Sequence, residues 1–248
     1  MTLWRLEWLR LVRSRRLVAL VGVYAFFGLL GPVTARYMSE IIERFGGGVQ
    51  VIFPDPVPSD GIAQYLGNVA QIGLLVAVLV AAGALVIDAV PEMSIFLRTR
   101  VSSVRQLLVP RVAVVTAAVC GAYLVGLGLA WYETVVLLGA VPIGGMALGL
   151  LLQWLYLVFV VALVAAVGTR TSSVVGAVGW SVVVLLALPI FGIVEAIGRW
   201  LPSHLVGAQV GLLGTAGPGE FVPAAVVTCA VATGLFVIAT RAGEAREL

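Results

Sequence analysis

Lysine is absent from this chain of 248 residues, histidine occurs once, and cysteine twice. Each scarcity removes a class of function. A lone histidine, His204, among scattered carboxylates offers no ligand spacing for a hydrolytic metal. It also leaves Ser181, inside an apolar run, without a base at its own depth, which an intramembrane serine protease requires. No G-x-x-x-x-G-K-[ST] segment is present, so the chain has no phosphate loop in which to cradle ATP. Cys120 and Cys229 each fall inside an apolar run and read as small buried apolar residues, without a disulfide framework. No catalytic residue, metal or bound cofactor is expected on this chain.

Charge is also scarce. Only 11% of the residues are charged and 61% are hydrophobic, against about 25% and about 45–50% in a soluble domain. The mean hydropathy is +1.13. These values describe an integral membrane protein, with no length left for a sizeable soluble domain. The pI near 9.2 is explained by arginines in the loops rather than by nucleic-acid binding. The missing lysine, with abundant alanine, valine and glycine, suggests a GC-rich bacterial genome and hence the bacterial inner (plasma) membrane.

Six apolar runs are long enough to span a bilayer, which takes about 20 residues each. They lie near Leu17–Val33, Val69–Val90, Val112–Trp131, from between Val135 and Met146 to Gly168, Val174–Val194, and Phe221–Thr240. The first exceeds a signal-peptide core of about 7–15 residues and is expected to be retained. The spacing predicts an all-α polytopic fold: an amphipathic N-terminal arm over 1–16 and a six-helix membrane domain over 17–248. The polar segment 34–67 is expected to be an acidic loop with a short helix around Ala35–Arg44. A small turn is expected at Tyr132-Glu133.

Arginine distribution orients this arrangement. With both termini cytoplasmic, twelve of the fifteen arginines fall inside and only Arg36, Arg44 and Arg199 outside. Five acids lie inside and seven outside, giving nets of +7 and −4 that together make the +3 of the whole chain. In the arm, Trp4, Trp8, Leu11 and Val12 follow the spacing of one helix face, with Arg10 and Arg13 opposite. The arm reads either as a helix lying in the interface or as a charged flank to the first span.

Three further segments carry information. Residues 91–111 mix Ile95, Phe96, Leu97, Val101 and Val104 with Arg98, Arg100 and Arg105. A helix there has one apolar and one basic side. It suits either a groove on a cytoplasmic partner or the membrane surface. Residues 195–220 contain an apolar stretch, Leu205–Leu213, too short to cross the bilayer and followed by Gly214, Gly217, Pro218 and Gly219. That segment is expected to re-enter from the outer face and to pack on the bundle or line a cavity. Gly145 and Gly149 form a G-x-x-x-G pattern that favours close helix packing within the monomer over a dimer seam.

In layout, this combination of arm, six spans, arginine-rich loop between the second and third, and broken outer segment before the last resembles the membrane subunit of type-2 ABC exporters, the ABC-2 permease family. The resemblance implies an ATP-driven exporter subunit for a lipid, hydrophobic drug or amphipathic peptide. It implies a coupling helix on Glu92, Arg98, Arg100, Ser102, Ser103 and Arg105, docked on a cytoplasmic ATPase subunit that holds ATP and Mg. It further implies an outer gate in 195–220, with Glu195, Arg199 and His204, and pairing as a homodimer or with a second permease. The loop 34–67 departs from the family by being longer and more acidic than a minimal hairpin. Two other readings stay open on the residues alone. One is an ATP-independent small transporter, which needs intramembrane ionisable groups that the spans lack. The other is a membrane scaffold or immunity protein whose arginine loop recruits a cytoplasmic factor.

Overall fold

The computed structural model describes residues 3–45, 55–86 and 104–245. All secondary structure among them is helical, and six helices are long and apolar enough to span a membrane. The N-terminal arm forms α1 (Leu3–Arg13). A corner at Ser14-Arg15, with Arg15 at φ 58°, leads into α2 (Arg16–Phe45). The second span is α3 (Pro58–Asn68), a π-helical turn Val69–Gly73, and α4 (Leu74–Leu85) in succession. Then come α5 (Val104–Leu137), α6 (Ile143–Gly168) and α7 (Val174–Phe191). The segment before the last span contains α8 (Glu195–Gly198), a 3-10 turn Pro202–Gly207 and α9 (Ala208–Leu213). A second 3-10 turn, Pro218–Phe221, opens α10 (Val222–Ala245).

Several boundaries differ from the sequence expectation, each for a local reason. The first span does not stop at Gly31-Pro32. Proline removes one helical hydrogen bond, but backbone groups in an apolar setting find no water, so helix is retained on both sides of it. The break falls later, at Tyr37 (φ −105°, ψ 15°). The second span begins at Pro58 rather than Val69. Pro58 occupies the first helical position, where its missing N–H costs nothing. The Asp60 carboxylate accepts the Val57 N–H at 2.9 Å. Gly61, Ile62, Tyr65 and Leu66 form one buried face, while Gln64 and Asn68 lie on the less buried side. Tyr132 and Glu133 belong to α5, not to a turn. The chain turns at 138–142 instead, where Leu138 and Gly139 both donate to the Thr134 carbonyl.

The helices alternate in direction, so each end of the bundle gathers a fixed set of termini. At one end α1 packs beside the starts of α2 and α5 and the end of α4, and the end of α4 meets the end of α6 at Gly168. At the other, α3 begins near the end of α5, with Gly61 against Thr134. The most extensive helix pair is α2 with α5. Gly28 and Gly126 meet there so closely that a Cβ on Gly126 would stand 2.5 Å from the Tyr24 carbonyl oxygen. The other long pair is α6 with α10. By contrast α7 has only 17% of its apolar window buried and α10 22%, leaving two spans that are mostly outward-facing.

Candidate functional site

The segment that is too short to span folds back into the bundle. α9 lies on α6 at the G-x-x-x-G pattern. A Cβ on Gly145 would stand 2.8 Å from the Leu212 carbonyl oxygen, and one on Gly149 would stand 2.8 Å from the Gln209 Cα. The pattern therefore seats a helix of the same chain. Gln209 lies level with Gly149, six residues into α6 and so about 9 Å along it at 1.5 Å per residue. At that depth Gln209 is 1% exposed, and a buried amide needs partners. Its Oε1 accepts the Tyr123 hydroxyl at 2.6 Å, and its Nε2 approaches the Met146 Sδ at 3.7 Å.

Tyr123 belongs to a trio of fully buried tyrosines. Its ring lies 6.1 Å from that of Tyr24, edge to face, and 5.9 Å from that of Tyr65. The Tyr65 hydroxyl donates to the Tyr123 carbonyl at 3.2 Å. Hydrogen bonds thus knot α3, α5 and α9 together through Tyr65, Tyr123 and Gln209, and Tyr24 of α2 packs its ring edge against Tyr123. Sequence reasoning passed over all four residues. The available signal was a lone glutamine inside the apolar stretch Leu205–Leu213, since such a group must be satisfied once buried.

Beside the knot lies an apolar cavity of about 590 Å³ between α4, α6 and α7, capped by the 202–207 turn. Tyr24, Gln153, Tyr156, Leu185, Ser203 and Val206 are among its walls. Tyr24 and Gln153 each hold a buried polar atom, Oη and Oε1, without a hydrogen-bond partner. An apolar cavity with few polar groups is the usual form of a small-molecule site. The broken segment was expected to pack on the bundle or to line a cavity; α9 does the first and the 202–207 turn the second.

Of the residues assigned to the outer segment, Arg199 and His204 line one shallow hollow with Ser203 and Pro189. The Arg199 guanidinium lies 5.6 Å from the Trp200 ring centre, and the His204 ring lies 5.2 Å from that of Phe221. Glu195 begins α8. Glu220, counted only as an outer acid in the sequence, accepts the Gly217 N–H at 3.0 Å and opens the last span.

Glu92, Arg98, Arg100, Ser102 and Ser103 lie outside the described residues. Arg105 is exposed in the first turn of α5. In α1, Trp4, Trp8 and Val12 form an outward stripe, whereas Leu11 is buried. The single apolar face expected from the spacing is therefore divided between outside and bundle. The buried side is Glu7 with Leu11. Arg13 is exposed, and Arg10 stands beside Glu7 at 4.0 Å instead of opposite the contact face.

The reason is Arg111. It was expected in the loop but sits inside α5, 2% exposed, with its Nε 2.8 Å from the Glu7 Oε1. A buried guanidinium needs a counter-charge, and Glu7 turns α1 to supply it. The two residues are 104 apart in the chain, a pairing that no local pattern encodes.

No family model matches the chain, and no solved structure matches it. It is similar to the uncharacterized transmembrane protein YxlG of Bacillus subtilis (strain 168), at 24% identity over 212 residues covering 83% of this chain and 81% of the relative.

Proposed function

We propose that the chain is the permease subunit of an ATP-driven exporter for hydrophobic or amphipathic molecules in the bacterial inner membrane. The observation that carries this reading is the apolar cavity of about 590 Å³ roofed by a segment that folds back into the bundle. A cavity with almost wholly apolar walls and a few polar groups suits a lipid, hydrophobic drug or amphipathic peptide. The segment seated on Gly145 and Gly149 then acts as the gate. The Tyr123–Gln209 hydrogen bond at 2.6 Å ties it to the bundle and rearranges when the gate moves.

The chain has no phosphate loop, so ATP and Mg are held by a separate cytoplasmic ATPase subunit. α5 carries motion from that subunit into the bundle: it begins at the end of the 91–111 segment, holds α1 through Arg111, and carries Tyr123 at mid-depth. Both termini are cytoplasmic in this reading. The active assembly contains two permeases, alike or different, and α7 and α10 have the uncovered apolar surface to meet lipid or the second copy.

Purification from the native host in mild detergent tests this reading. The expected result is a stoichiometric cytoplasmic ATPase that is lost in the Arg98→Glu, Arg105→Glu variant while the permease still inserts. A preparation free of any ATPase would remove the exporter reading.

A further inference from the structure

A small cleft at the α1 end of the bundle, separate from the apolar cavity, carries unbalanced charge. Its walls come from α1, the start of α2, the end of α4 and α5, and its volume is about 60 Å³. Three guanidinium groups, Arg10, Arg16 and Arg111, face one carboxylate, Glu7. One Glu7 oxygen is taken by Arg111 at 2.8 Å, and the other stands 4.0 Å from Arg10. Among the described residues the cleft therefore holds a surplus of two positive charges. Arg16, half-buried against Gly83, has no ion pair or hydrogen bond among the described residues. Guanidinium groups gathered in one cleft attract an oxyanion, because their planar forks match its oxygens and its charge offsets their mutual repulsion.

Two further observations identify the anion. A single water needs about 10–15 Å³ of cavity space, so the cleft's volume of about 60 Å³ has room for a group the size of a phosphate. The outer side of α1 bears Trp4, Leu6, Trp8 and Val12, all exposed. Tryptophans and arginines on one amphipathic helix mark the level of lipid headgroups. A phosphate at this depth is supplied by the membrane itself, and basic pockets at the ends of spanning helices hold such headgroups.

We propose that this cleft binds the phosphate of an anionic phospholipid, whose acyl chains run along the outward stripe of α1. The three arginines belong to α1, α2 and α5, so the bound phosphate ties the arm to the first and third spans. Anionic lipid then sets how firmly α1 is docked, whatever the chain transports.

Native mass spectrometry of the delipidated protein in detergent, titrated with phosphatidylglycerol, phosphatidylcholine or inorganic phosphate, tests the proposal. Phosphatidylglycerol is expected to bind at least about tenfold more tightly than phosphatidylcholine. The Arg10→Gln, Arg16→Gln variant is expected to lose about tenfold or more of that affinity, near the electrostatic worth of two arginines at a membrane surface. The Arg5→Gln, Arg13→Gln variant, with the same net charge but outside the cleft, is expected to keep it. An Arg10→Lys, Arg16→Lys variant is expected to retain most of the preference, which separates lost charge from lost folding. Equal binding of the two lipids, or equal losses in the two glutamine variants, would overturn the proposal. Saturation by inorganic phosphate without lipid would assign the cleft to free phosphate and overturn the lipid source.

Discussion

Replacing Glu7 by leucine should release the N-terminal helix from the bundle. Glu7 is the only counter-charge described for Arg111, and both side chains are almost wholly buried, at 6% and 3% exposure. Breaking a buried pair by removing one partner costs about 3–5 kcal/mol, because the other charge is left unpaired. The low end of that range is about a hundredfold in an equilibrium constant. The two single variants should not be equal. Arg111→Met leaves Glu7 with Arg10 at 4.0 Å, a pair whose arginine is half-exposed, so its cost should be smaller, nearer tenfold. Glu7→Leu leaves Arg111 facing Arg10 with no carboxylate between them. The double variant Glu7→Leu, Arg111→Met removes both charges and should return to within about 1 kcal/mol of the native protein, as apolar replacement of whole pairs does. α1 contributes only Glu7 and Leu11 to the buried core, so the loss appears as local undocking before the bundle unfolds. Trypsin cleavage at Arg13, Arg15 and Arg16 reports that opening when it is fast relative to cutting. The expected order of cleavage rates is Glu7→Leu, then Arg111→Met, then the double variant close to native. A Glu7→Leu rate equal to native, or a double variant at the product of the two singles, would refute the reasoning.

Two other expectations concern the bundle. Gly126→Ala should destabilise by about 1–3 kcal/mol through overpacking, since its Cβ would meet the Tyr24 carbonyl oxygen at 2.5 Å and the Tyr65 hydroxyl at 2.7 Å; Gly22→Ala, with nothing within 4 Å, should gain roughly 0.5–1 kcal/mol from helix entropy, both read by denaturant unfolding in detergent. The same tyrosine-to-phenylalanine change should have opposite signs at two neighbouring sites: Tyr24→Phe removes an unpartnered hydroxyl and raises the unfolding temperature, whereas Tyr123→Phe strips Gln209 of its 2.6 Å donor and costs about 1–3 kcal/mol. Equal effects of the two changes would show that the knot adds nothing to stability.

The parts of this fold legible in the sequence are those written in local composition. Six apolar runs exceed bilayer thickness, Leu205–Leu213 falls short of it, and Gly145 and Gly149 are small residues one turn apart. Each has a direct structural consequence here. Boundaries were less legible where polar residues take part in helices. Asp60 reads as loop charge but caps α3, and Glu133 reads as a turn but continues α5, because a helix already formed extends through any residue that fits its backbone. The polar contacts were not legible at all. Glu7 with Arg111, and Tyr123 with Gln209, join residues 104 and 86 apart. A charge-counting argument also assigns Arg111 to a loop, since hydropathy treats every arginine as exposed. The one signal that survives is negative: a polar residue in an apolar run must have a partner somewhere.

The Glu7–Arg111 pair also has a consequence for biosynthesis. When α1 leaves the ribosome, the residue that holds it has yet to be made, and at about 5–20 residues per second the wait is on the order of 5–20 s. Gly28 waits a similar time for Gly126. During that interval the arm has no third span to dock against, Glu7 lacks its partner, and the first span is without its principal neighbour. Arrival of the third span supplies both missing contacts in one step, Arg111 for the arm and Gly126 for the span. The first half of the bundle therefore assembles backwards, with its earliest segments reaching their final positions only after the third span is inserted.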